Sequence, residues 1–505
     1  MAQGFDTVIK GGRVVDPAQS LNTVADVAIK DGKIAAVGRD LDGTGASIVD
    51  AAGAIVTPGL VDIHVHVYGI LGFAYPDRVG ITQGVTTYVE PGGPGVATYG
   101  EYRELTRGLT VTNLYCGAYI GPTGITGLEV VDGDVRALIG IPINDWLDTV
   151  EANRDDIRYL KVGAFSNYGS GVVKLGKGLA EITGLPLYIH IGDFMKSFKA
   201  TTTPTAFNQA GQGDIITHIF HSNPGNILDG NGRVLPEVFD AEKRGVLFDV
   251  GYGAYNFNFD VAEKAIAQGV LPHVISSDLQ QVNVTGPCYS LANVMSMFLK
   301  LGLTPEEVIE RVTLNAARSI GLEDRHGTLH TGRAADVTIL RIEDGEFELG
   351  DTQGNKRIGT QRFMPVLVFK DGHRHEIDME TAQEIDNWNM QVATDHIPEA
   401  ASHLSAAQRD FLGALRRGID DVQWHAAEFN TVYIDMKTAM ELHRRFHAVC
   451  TATGIPLRDA LLALMACLFD APFTYQAAVA IVRQPRDFML ERLSAVAGAQ
   501  ARAAA

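Results

Sequence analysis

The sequence predicts an α/β protein built around a (β/α)8 barrel, with a small β domain drawn from both flanks and a C-terminal helical extension. Short apolar segments alternate with helical segments over about 260 residues in the middle of the chain, which is the pattern of a (β/α)8 barrel. Strand-like sequence with tight turns lies on both sides of this region. Residues 381–505 are rich in alanine and place apolar residues at helical spacing.

Residues 1–57 are predicted to form short strands joined by turns. Apolar and polar residues alternate at 25–29, Asp31-Gly32 is a hairpin-turn dipeptide, and residues 34–37 supply the returning strand. The segment contains neither histidine nor cysteine, so we do not expect it to be catalytic. It forms the N-terminal part of the small β domain.

Residues 58–325 contain eight apolar segments, which we interpret as the barrel strands. These segments cover residues 61–66, 85–90, 111–120, 157–162, 185–190, 214–221, 246–250 and 273–278. Stretches with helical spacing, such as 234–244 and 261–267, lie between them. A doubly wound open sheet is the alternative. A Gly-rich phosphate loop normally follows the first strand of that fold, and this sequence has none there.

Three further parts follow the last predicted barrel strand. Helical segments at 291–299 and 304–319 come first, and Thr304 is a suitable N-cap for the second. Strand composition returns at 326–380, and we predict that these residues pair with the N-terminal strands. Helices are then expected at residues 406–422, 431–452, 457–469 and 475–495. This extension could cover the barrel mouth, form an oligomer interface or bind another protein.

Length, composition and charge restrict the class of protein. A chain of 505 residues is too long for one core, so two or three domains are expected. The formal net charge of −18 disfavours nucleic acid or an anionic membrane surface as a partner. The four cysteines include no CxxC pair, and the sequence has neither a signal peptide nor a long apolar run. We therefore expect a cytoplasmic protein with neither a nucleic-acid nor a membrane partner.

Two histidines at the end of the first predicted strand suggest a metal site. His64 and His66 are two positions apart, so in a strand both side chains point to the same face. Two imidazoles aimed at one point could bind one metal ion, but an HxH pair alone is weak support.

The ends of other predicted strands carry residues of the same chemistry. These residues are Lys161, His190, His218, His221 and Asp278. Each alone has an ordinary structural explanation, such as a hydrogen-bonded core histidine or a helix cap. Catalytic groups of a barrel lie at the C-terminal ends of its strands, so together these residues predict a metal centre at one mouth.

Lys161 lies on an apolar strand, where an ammonium group is costly to bury. A neutral amine can take up CO2 to form a carbamate, whose two anionic oxygens could bridge two divalent cations. The alternatives are a lysine that reaches out to water or one that pairs with a carboxylate such as Asp278.

Five residues near the strand ends are candidates for contacting a substrate. They are Tyr68, His221, Asn223, Tyr252 and Asn256. His221 lies three positions after His218, so in a strand it would face away from it, and we expect a supporting role or a substrate contact. For the loop residues, packing within the loop is an equally good explanation.

A second histidine pair lies far along the chain, in the extension. His443 and His447 have the i, i+4 spacing of zinc ligands on a helix, but the glutamate of an HExxH motif is missing. We interpret the pair as part of a helix surface.

Taken together, these residues resemble the amidohydrolase superfamily. The resemblance lies in the Pro58-Gly59-Leu60-Val61-Asp62-Ile63-His64-Val65-His66 segment, the strand-four lysine, His190, His218 and Asp278. Segments 214–218, 246–251 and 275–278 narrow it to the dihydroorotase-like amidohydrolase/deacetylase metallohydrolases. One departure is Gly163, where close relatives have an arginine two residues after the lysine.

This resemblance covers residues 5–375 and implies a (β/α)8 barrel beside a small β-sandwich, with a binuclear zinc-type centre. The implied domains are 1–57 and 326–380 for the two parts of the sandwich, 58–325 for the barrel and 381–505 for the extension. The implied ligands are His64, His66 and Asp278 for one metal and His190 and His218 for the other, with a carboxylated Lys161 bridging them.

From these features we expect a metal-dependent hydrolase of an amide or ester bond in a small molecule, with two divalent ions of the Zn2+ type and a carbamate from CO2 on Lys161. The ions would lower the pKa of a bridging water, and Asp278 would carry its proton to the leaving group. Hydrolysis of a cyclic amide, as in dihydroorotase or hydantoinase, is the alternative. A catalytically inactive scaffold is less favoured, because every ligand is present. We also expect a homo-oligomer.

Overall fold

Two β-sheets with helices packed around them make up the core of the chain. The computed structural model describes residues 4–68, 76–106, 108, 110–121, 124–125, 143–164, 171–192, 203–380, 392–426, 436–470 and 477–498. One sheet has eight strands and the other has seven.

The eight-stranded sheet contains strands from both flanks of the predicted barrel region. Its strands are β1 (Thr7–Asp16), β2 (Leu21–Lys30), β3 (Lys33–Gly38), β4 (Ser47–Asp50), β5 (Ile55–Pro58), β13 (Val337–Gly350), β14 (Lys356–Lys370) and β15 (His373–Glu376). They follow the order β15-β14-β13-β5-β1-β2-β3, with β4 paired to β1. Because β5 pairs antiparallel with β13, residues far apart in the chain share one apolar core, which includes Val56 and Val337.

The seven-stranded sheet is parallel throughout and follows chain order. Its strands are β6 (Leu60–Asp62), β7 (Val85–Glu90), β8 (Asn113–Tyr119), β9 (Ile157–Gly163), β10 (Leu187–His190), β11 (Ile215–Thr217) and β12 (Leu247–Asp249). Most of their residues are buried, as expected for parallel strands covered on both faces. Since parallel neighbours end at the same edge, all seven strands bring their C-terminal residues to one side.

Residues 273–278, predicted as the eighth strand, are not a regular strand in the structure. Two isolated parallel bridges, Asp249 with Val274 and Val65 with Leu279, connect this segment to both edges of the seven-stranded sheet. Asp278 has a φ of 47°, and this left-handed conformation ends the extended backbone.

Nine helices of the described residues lie between or after the strands of the parallel sheet. They are α1 (Tyr99–Thr106), α2 (Ile143–Ala152), α3 (Gly171–Thr183), α4 (Thr203–Gln209), α5 (Pro236–Lys243), α6 (Phe259–Ala267), α7 (Leu291–Lys300), α8 (Pro305–Arg311) and α9 (Leu314–Ser319). The single helix predicted at 304–319 is two helices, because Thr313 has a non-helical backbone (φ −130°, ψ −92°). Thr304 does cap α8, in a reciprocal capping box with Glu307.

Five more helices of the described residues follow the second β segment. They are α10 (Ala406–Gly418), α11 (Met436–Thr453), α12 (Leu457–Leu468), α13 (Ala477–Val482) and α14 (Arg486–Gly498). Their buried apolar residues belong to a cluster that also contains residues of the parallel sheet, such as Leu60, Ile157 and Leu187. Residues 431–435 and 475–476, predicted as helix starts, lie outside the described residues.

No single helix within the described ranges has the length and hydropathy needed to cross a membrane. One pair bent by 120°, Glu441–Thr453 with Leu457–Leu468, meets the length and composition criteria only when the two helices are taken together.

Candidate metal centre

The C-terminal edge of the parallel sheet brings together the ligand-type residues predicted from the sequence. His64 follows β6, His190 ends β10 and His218 follows β11, while Lys161 lies within β9. Asp278 lies in the segment that bridges both edges of the sheet. All except His190, which is half-buried, are buried.

Asp278 is the point at which these side chains meet. Its Oδ1 atom lies 3.3 Å from Nε2 of His64 and 3.3 Å from Nε2 of His66. Ligand atoms of His64, His218 and Asp278 all lie within 4.8 Å of one another. The ring of His190 contacts that of His218 edge-on, with centroids 4.1 Å apart. These distances are those of side chains grouped around a common centre.

Outer hydrogen bonds orient the histidine rings. The Tyr188 hydroxyl donates to Oδ2 of Asp249 at 2.5 Å, so it must accept a hydrogen bond from Nδ1 of His64 at 2.8 Å. Nδ1 of His218 donates to the carbonyl of Gly251 at 2.6 Å. In both rings Nε2 is then the unprotonated nitrogen, and it is the nitrogen left for a ligand.

Glu90 holds the third ring. Its Oε1 lies 3.3 Å from Nδ1 of His66, while Oε2 accepts hydrogen bonds from the backbone N–H groups of Val67 and Tyr68. The carboxylate therefore fixes both the ring of His66 and the backbone that follows it.

Lys161 is buried with only 1% of its surface exposed, and its Nζ finds no hydrogen-bond partner among the described residues. The amine lies 4.3 Å above the ring of Tyr188. Burial lowers the pKa of Lys161 to about 7, although Asp278, Asp249 and Glu90 oppose the shift. A large share of the amine is thus neutral near pH 7, which is the form that reacts with CO2.

Burial also decides the charge of the histidines. It lowers the pKa of His218 to about 4 and holds those of His64 and His190 well below the usual range. Burial acts in the same direction on His66, but Asp278 and Glu90 outweigh it and raise its pKa to about 9. Neutral imidazole is the form that binds metal, so three of the four rings are already in that form.

Comparison of the sequence with known proteins shows which family this chain belongs to. The sequence model of the amidohydrolase family matches residues 258–375. A deacetylase of Agrobacterium fabrum is 32% identical over 336 residues, which cover 64% of this chain and 80% of the relative. This chain belongs to the amidohydrolase family. A deacetylase of Enterococcus faecalis is 30% identical, over 74% of this chain and 99% of that protein.

Solved structures agree with this assignment to the amidohydrolases. An adenine deaminase has a TM-score of 0.66 at 28% identity, covering 74% of this chain and 100% of its own. A dihydroorotase has a TM-score of 0.66 at 29% identity, covering 74% and 98%. The resemblance inferred from the strand-end residues is thereby confirmed. The protein is a metal-dependent hydrolase that acts on carbon–nitrogen bonds.

The loop after β12 comes into direct contact with Asp278 in this amidohydrolase. Gly253 has a φ of 63°, and a Cβ atom there would lie 2.3 Å from Oδ2 of Asp278 and 2.9 Å from Nδ2 of Asn256. Only glycine allows this approach without strain. Asn256, a predicted substrate contact, is thus brought near Asp278, and its buried Oδ1 has no hydrogen-bond partner in the described part of the chain.

Three other predicted substrate contacts are engaged in packing or in loop hydrogen bonds. Tyr252 stacks on Phe257, and its hydroxyl donates to the carbonyl of Gly350 in the β13–β14 hairpin at 2.7 Å. Asn223 donates to the carbonyl of Tyr255 at 2.9 Å, which joins the loops after β11 and β12. The ring of Tyr68 packs edge-on against Tyr102 of α1, with centroids 5.4 Å apart. The loop-packing explanation accounts for these contacts.

His221 differs from its predicted setting. Strand β11 ends at Thr217 and His218 has a φ of 68°, so the alternation of a strand does not set the direction of His221, and that part of the prediction is wrong. A Cβ atom at Gly192 would lie 2.5 Å from Cε1 of its ring. The ring is buried, and burial lowers the pKa of His221 to about 3, although a hydrogen bond with the backbone of Asn223 opposes the shift.

Several acids and a tyrosine of the centre were missed by the sequence analysis. Glu90 ends β7 and Asp249 ends β12, so each is a carboxylate at the end of an apolar strand. A carboxylate at the end of an apolar strand could have been recognised from the sequence as a candidate residue of the centre. Asp62 accepts a hydrogen bond from the Ser277 hydroxyl at 2.5 Å and ties β6 to the segment of Asp278. Tyr188 could not have been recognised in this way, because a tyrosine within an apolar strand is also what an ordinary core residue looks like in the sequence.

Proposed function

We propose that this amidohydrolase cleaves an acyclic N-acyl or O-acyl bond of a small molecule, using two divalent metal ions of the Zn2+ type. The proposal rests mainly on one observation, the convergence of the Nε2 atoms of His64 and His66 on Oδ1 of Asp278 at 3.3 Å. In the proposal His64, His66 and Asp278 would hold one ion. His190 and His218 would hold the other, and a carboxylated Lys161 would supply an oxygen to each.

The donor set fits such a centre. Imidazole nitrogens and carboxylate oxygens are ordinary zinc ligands. Nε2 of His218 and Nζ of Lys161 are buried polar atoms without a hydrogen-bond partner in the described residues, and such atoms are costly unless a ligand satisfies them. Nδ1 of His64 donates to the Tyr188 hydroxyl and Nδ1 of His218 donates to the Gly251 carbonyl, which leaves Nε2 of both rings unprotonated for a ligand.

When bound, divalent ions supply Lewis-acid chemistry: they lower the pKa of water and polarise the scissile carbonyl. In our proposal Asp278 accepts the proton of the attacking water and gives it to the leaving nitrogen or oxygen. Gln280 Nε2 donates to Oδ1 of Asp278 at 2.8 Å, and Asn283 Nδ2 donates to its backbone carbonyl at 2.9 Å, so the carboxylate is held in place. Asn256 provides an amide close to it for orienting a polar substrate.

We also infer that residues 273–279 close the parallel sheet into a barrel. The bridges at Val274 and Leu279 and the bond between Asp62 and Ser277 support this inference. The five C-terminal helices then form an extension to that barrel.

A substrate panel tests the proposal. Full-length protein loaded with zinc in bicarbonate buffer is assayed on N-acetyl and O-acetyl compounds and on dihydroorotate and hydantoins. We expect turnover of an acyclic acyl compound. The likeness to a dihydroorotase supports cyclic amides as the second candidate, and turnover of the cyclic substrates alone would replace our proposal with that one.

The role of Asp278 has its own test. We expect Asp278→Asn to lower kcat by several orders of magnitude while metal remains bound, as measured by elemental analysis. Asp324→Asn, at an exposed position, is the matched control. Activity retained in Asp278→Asn would show that this carboxylate does not carry the proton.

A further inference from the structure

A second group of metal-ligand residues lies away from the strand-end centre. Glu101 lies on α1, and His443 and His447 lie on α11 of the C-terminal helices. Oε1 of Glu101 is 3.1 Å from Nδ1 of His443 and 3.0 Å from Nε2 of His447. The pair interpreted from the sequence as helix surface therefore faces a carboxylate.

Burial distinguishes this group from a surface ion pair. The side chain of Glu101 is fully buried, that of His443 is 12% exposed and that of His447 is 35% exposed. Burial by itself raises the pKa of Glu101, but the two imidazoles outweigh it and lower the pKa to about 2. Glu101 is thus an anion enclosed at the contact between two parts of the fold.

The geometry matches three ligands of one ion. Ligand atoms of the three residues all lie within 4.8 Å of one another, and the two imidazole rings are 4.4 Å apart at their centroids. Zinc bonds of 2.0–2.1 Å in a tetrahedron put neighbouring ligand atoms about 3.3 Å apart. The two distances to Oε1 are within a few tenths of an ångström of that value.

We propose that Glu101, His443 and His447 form a separate divalent-cation site of the zinc type that joins the C-terminal helices to the barrel. His447 is partly exposed, so solvent reaches the site and a water molecule would supply the fourth ligand. The i, i+4 spacing on α11 supplies two nitrogens from one rigid helix, and α1 supplies the oxygen. This proposal is independent of the catalytic one.

Neighbouring contacts give the site a structural role. Oε2 of Glu101 accepts a hydrogen bond from the backbone N–H of Ala477 at 3.0 Å, and Arg458 donates to the carbonyl of Glu104 at 2.7 Å. Helix α1 therefore meets three C-terminal segments at one place. The next residue of α1 is Tyr102, whose ring packs against Tyr68, two residues after His66. An ion here would fix α1 between the C-terminal helices and the strand-end centre.

Zinc counting tests the site. Chelator-stripped, full-length protein is titrated with Zn2+ against a chromophoric competitor. We expect wild type to bind one equivalent more than Glu101→Gln and one more than the double variant His443→Gln/His447→Gln. Glu101→Gln keeps one oxygen that can accept from the two imidazoles, but it loses the negative charge and replaces with an NH2 group the oxygen that accepts from Ala477. The double histidine variant keeps the Ala477 hydrogen bond, so an equal loss of zinc in both variants separates ion binding from that hydrogen bond. His403→Gln, on an exposed residue, is the control and should keep the wild-type count.

A crystallographic measurement on the wild-type protein tests the site even if a variant fails to fold. Crystals of wild-type protein grown with Zn2+ should show an anomalous peak at the zinc edge between Glu101, His443 and His447. Equal zinc counts in wild type and both variants, or the absence of that peak with zinc present at the strand-end centre, would overturn the proposal in favour of two imidazole–carboxylate hydrogen bonds.

Discussion

Nδ1 of His64 lies 2.8 Å from the hydroxyl of Tyr188, which in turn donates to Asp249 at 2.5 Å. This relay fixes the proton of His64 on Nδ1 and leaves Nε2 to face Asp278. Thr217 and Ser276 also donate to Asp249, at 2.7 Å and 2.8 Å, so the relay is anchored in a buried network.

Removal of the Tyr188 hydroxyl should weaken metal binding without removing a ligand. We expect Tyr188→Phe to lower zinc affinity about 10- to 100-fold, the usual effect of losing an outer hydrogen bond to a ligating histidine. Competitive chelator titration measures it. Tyr252→Phe is the control, because that hydroxyl bonds to Gly350 in the hairpin. Equal losses in the two variants would contradict the relay.

Gly253 should tolerate no side chain. A Cβ atom there would lie 2.3 Å from Oδ2 of Asp278, so we expect Gly253→Ala to displace the carboxylate and reduce kcat at least 100-fold. Gly184→Ala is a matched control, because Gly184 has a similar φ of 71° and open space around it. Both variants should lose about 1–2 kcal/mol of stability from the left-handed backbone, but only the first should lose activity. Normal activity in Gly253→Ala would show that the loop can move away from Asp278.

If Lys161 carries a carbamate, activity should depend on CO2. We expect metal-stripped protein reloaded with zinc in CO2-depleted buffer to regain only a small part of the activity that it regains with bicarbonate. Lys161→Ala should be inactive and should be partly rescued by a small carboxylic acid, because a carboxylate can replace the carbamate oxygens. Lys174→Ala, on an exposed face of α3, should behave as wild type. Equal recovery in both buffers would count against the carbamate.

The folded state should lose stability at acidic pH because of His326, a buried histidine that is not part of the strand-end centre. Burial lowers the pKa of His326 from 6.5 to about 4, and Lys370 and Arg325 add to the shift. The unfolded chain therefore takes up a proton between pH 6.5 and pH 4 that the folded chain does not, so folding stability decreases as pH falls through this window. The shift corresponds to about 3 kcal/mol at most.

Urea unfolding at several pH values measures this effect. The loss of stability between pH 6.5 and pH 4 should be smaller in His326→Gln than in wild type. His330→Gln, at an exposed position, should keep the wild-type slope. Parallel pH profiles for wild type and His326→Gln would contradict the assigned pKa.

Several features were predictable because they depend on local spacing. His64 and His66 were predicted to share one face of a strand at 61–66; the strand ends earlier, at Asp62, but both side chains do converge on Asp278. The capping box at Thr304 followed from four neighbouring residues. The lengths predicted for several strands were wrong, because these strands end earlier in the structure than the sequence suggested. The strand expected at 214–221 ends at Thr217, and left-handed Asp278 ends the segment expected to be the eighth strand. A single residue with positive φ ends an extended run, and composition does not reveal it.

The sequence by itself determined the order of the parallel strands, the ligand-type residues at their ends and the family. These properties follow from hydrophobic periodicity and from residues that stand in short, recognisable segments. Only the tertiary structure decided which nitrogen of each histidine faces inward, and that Glu90 and Asp249 support the centre. It also placed His447 against Glu101, 346 positions away in the chain. Contacts between residues so far apart in the chain depend on how whole helices and strands pack together. The spacing of neighbouring residues in the sequence does not reveal that packing.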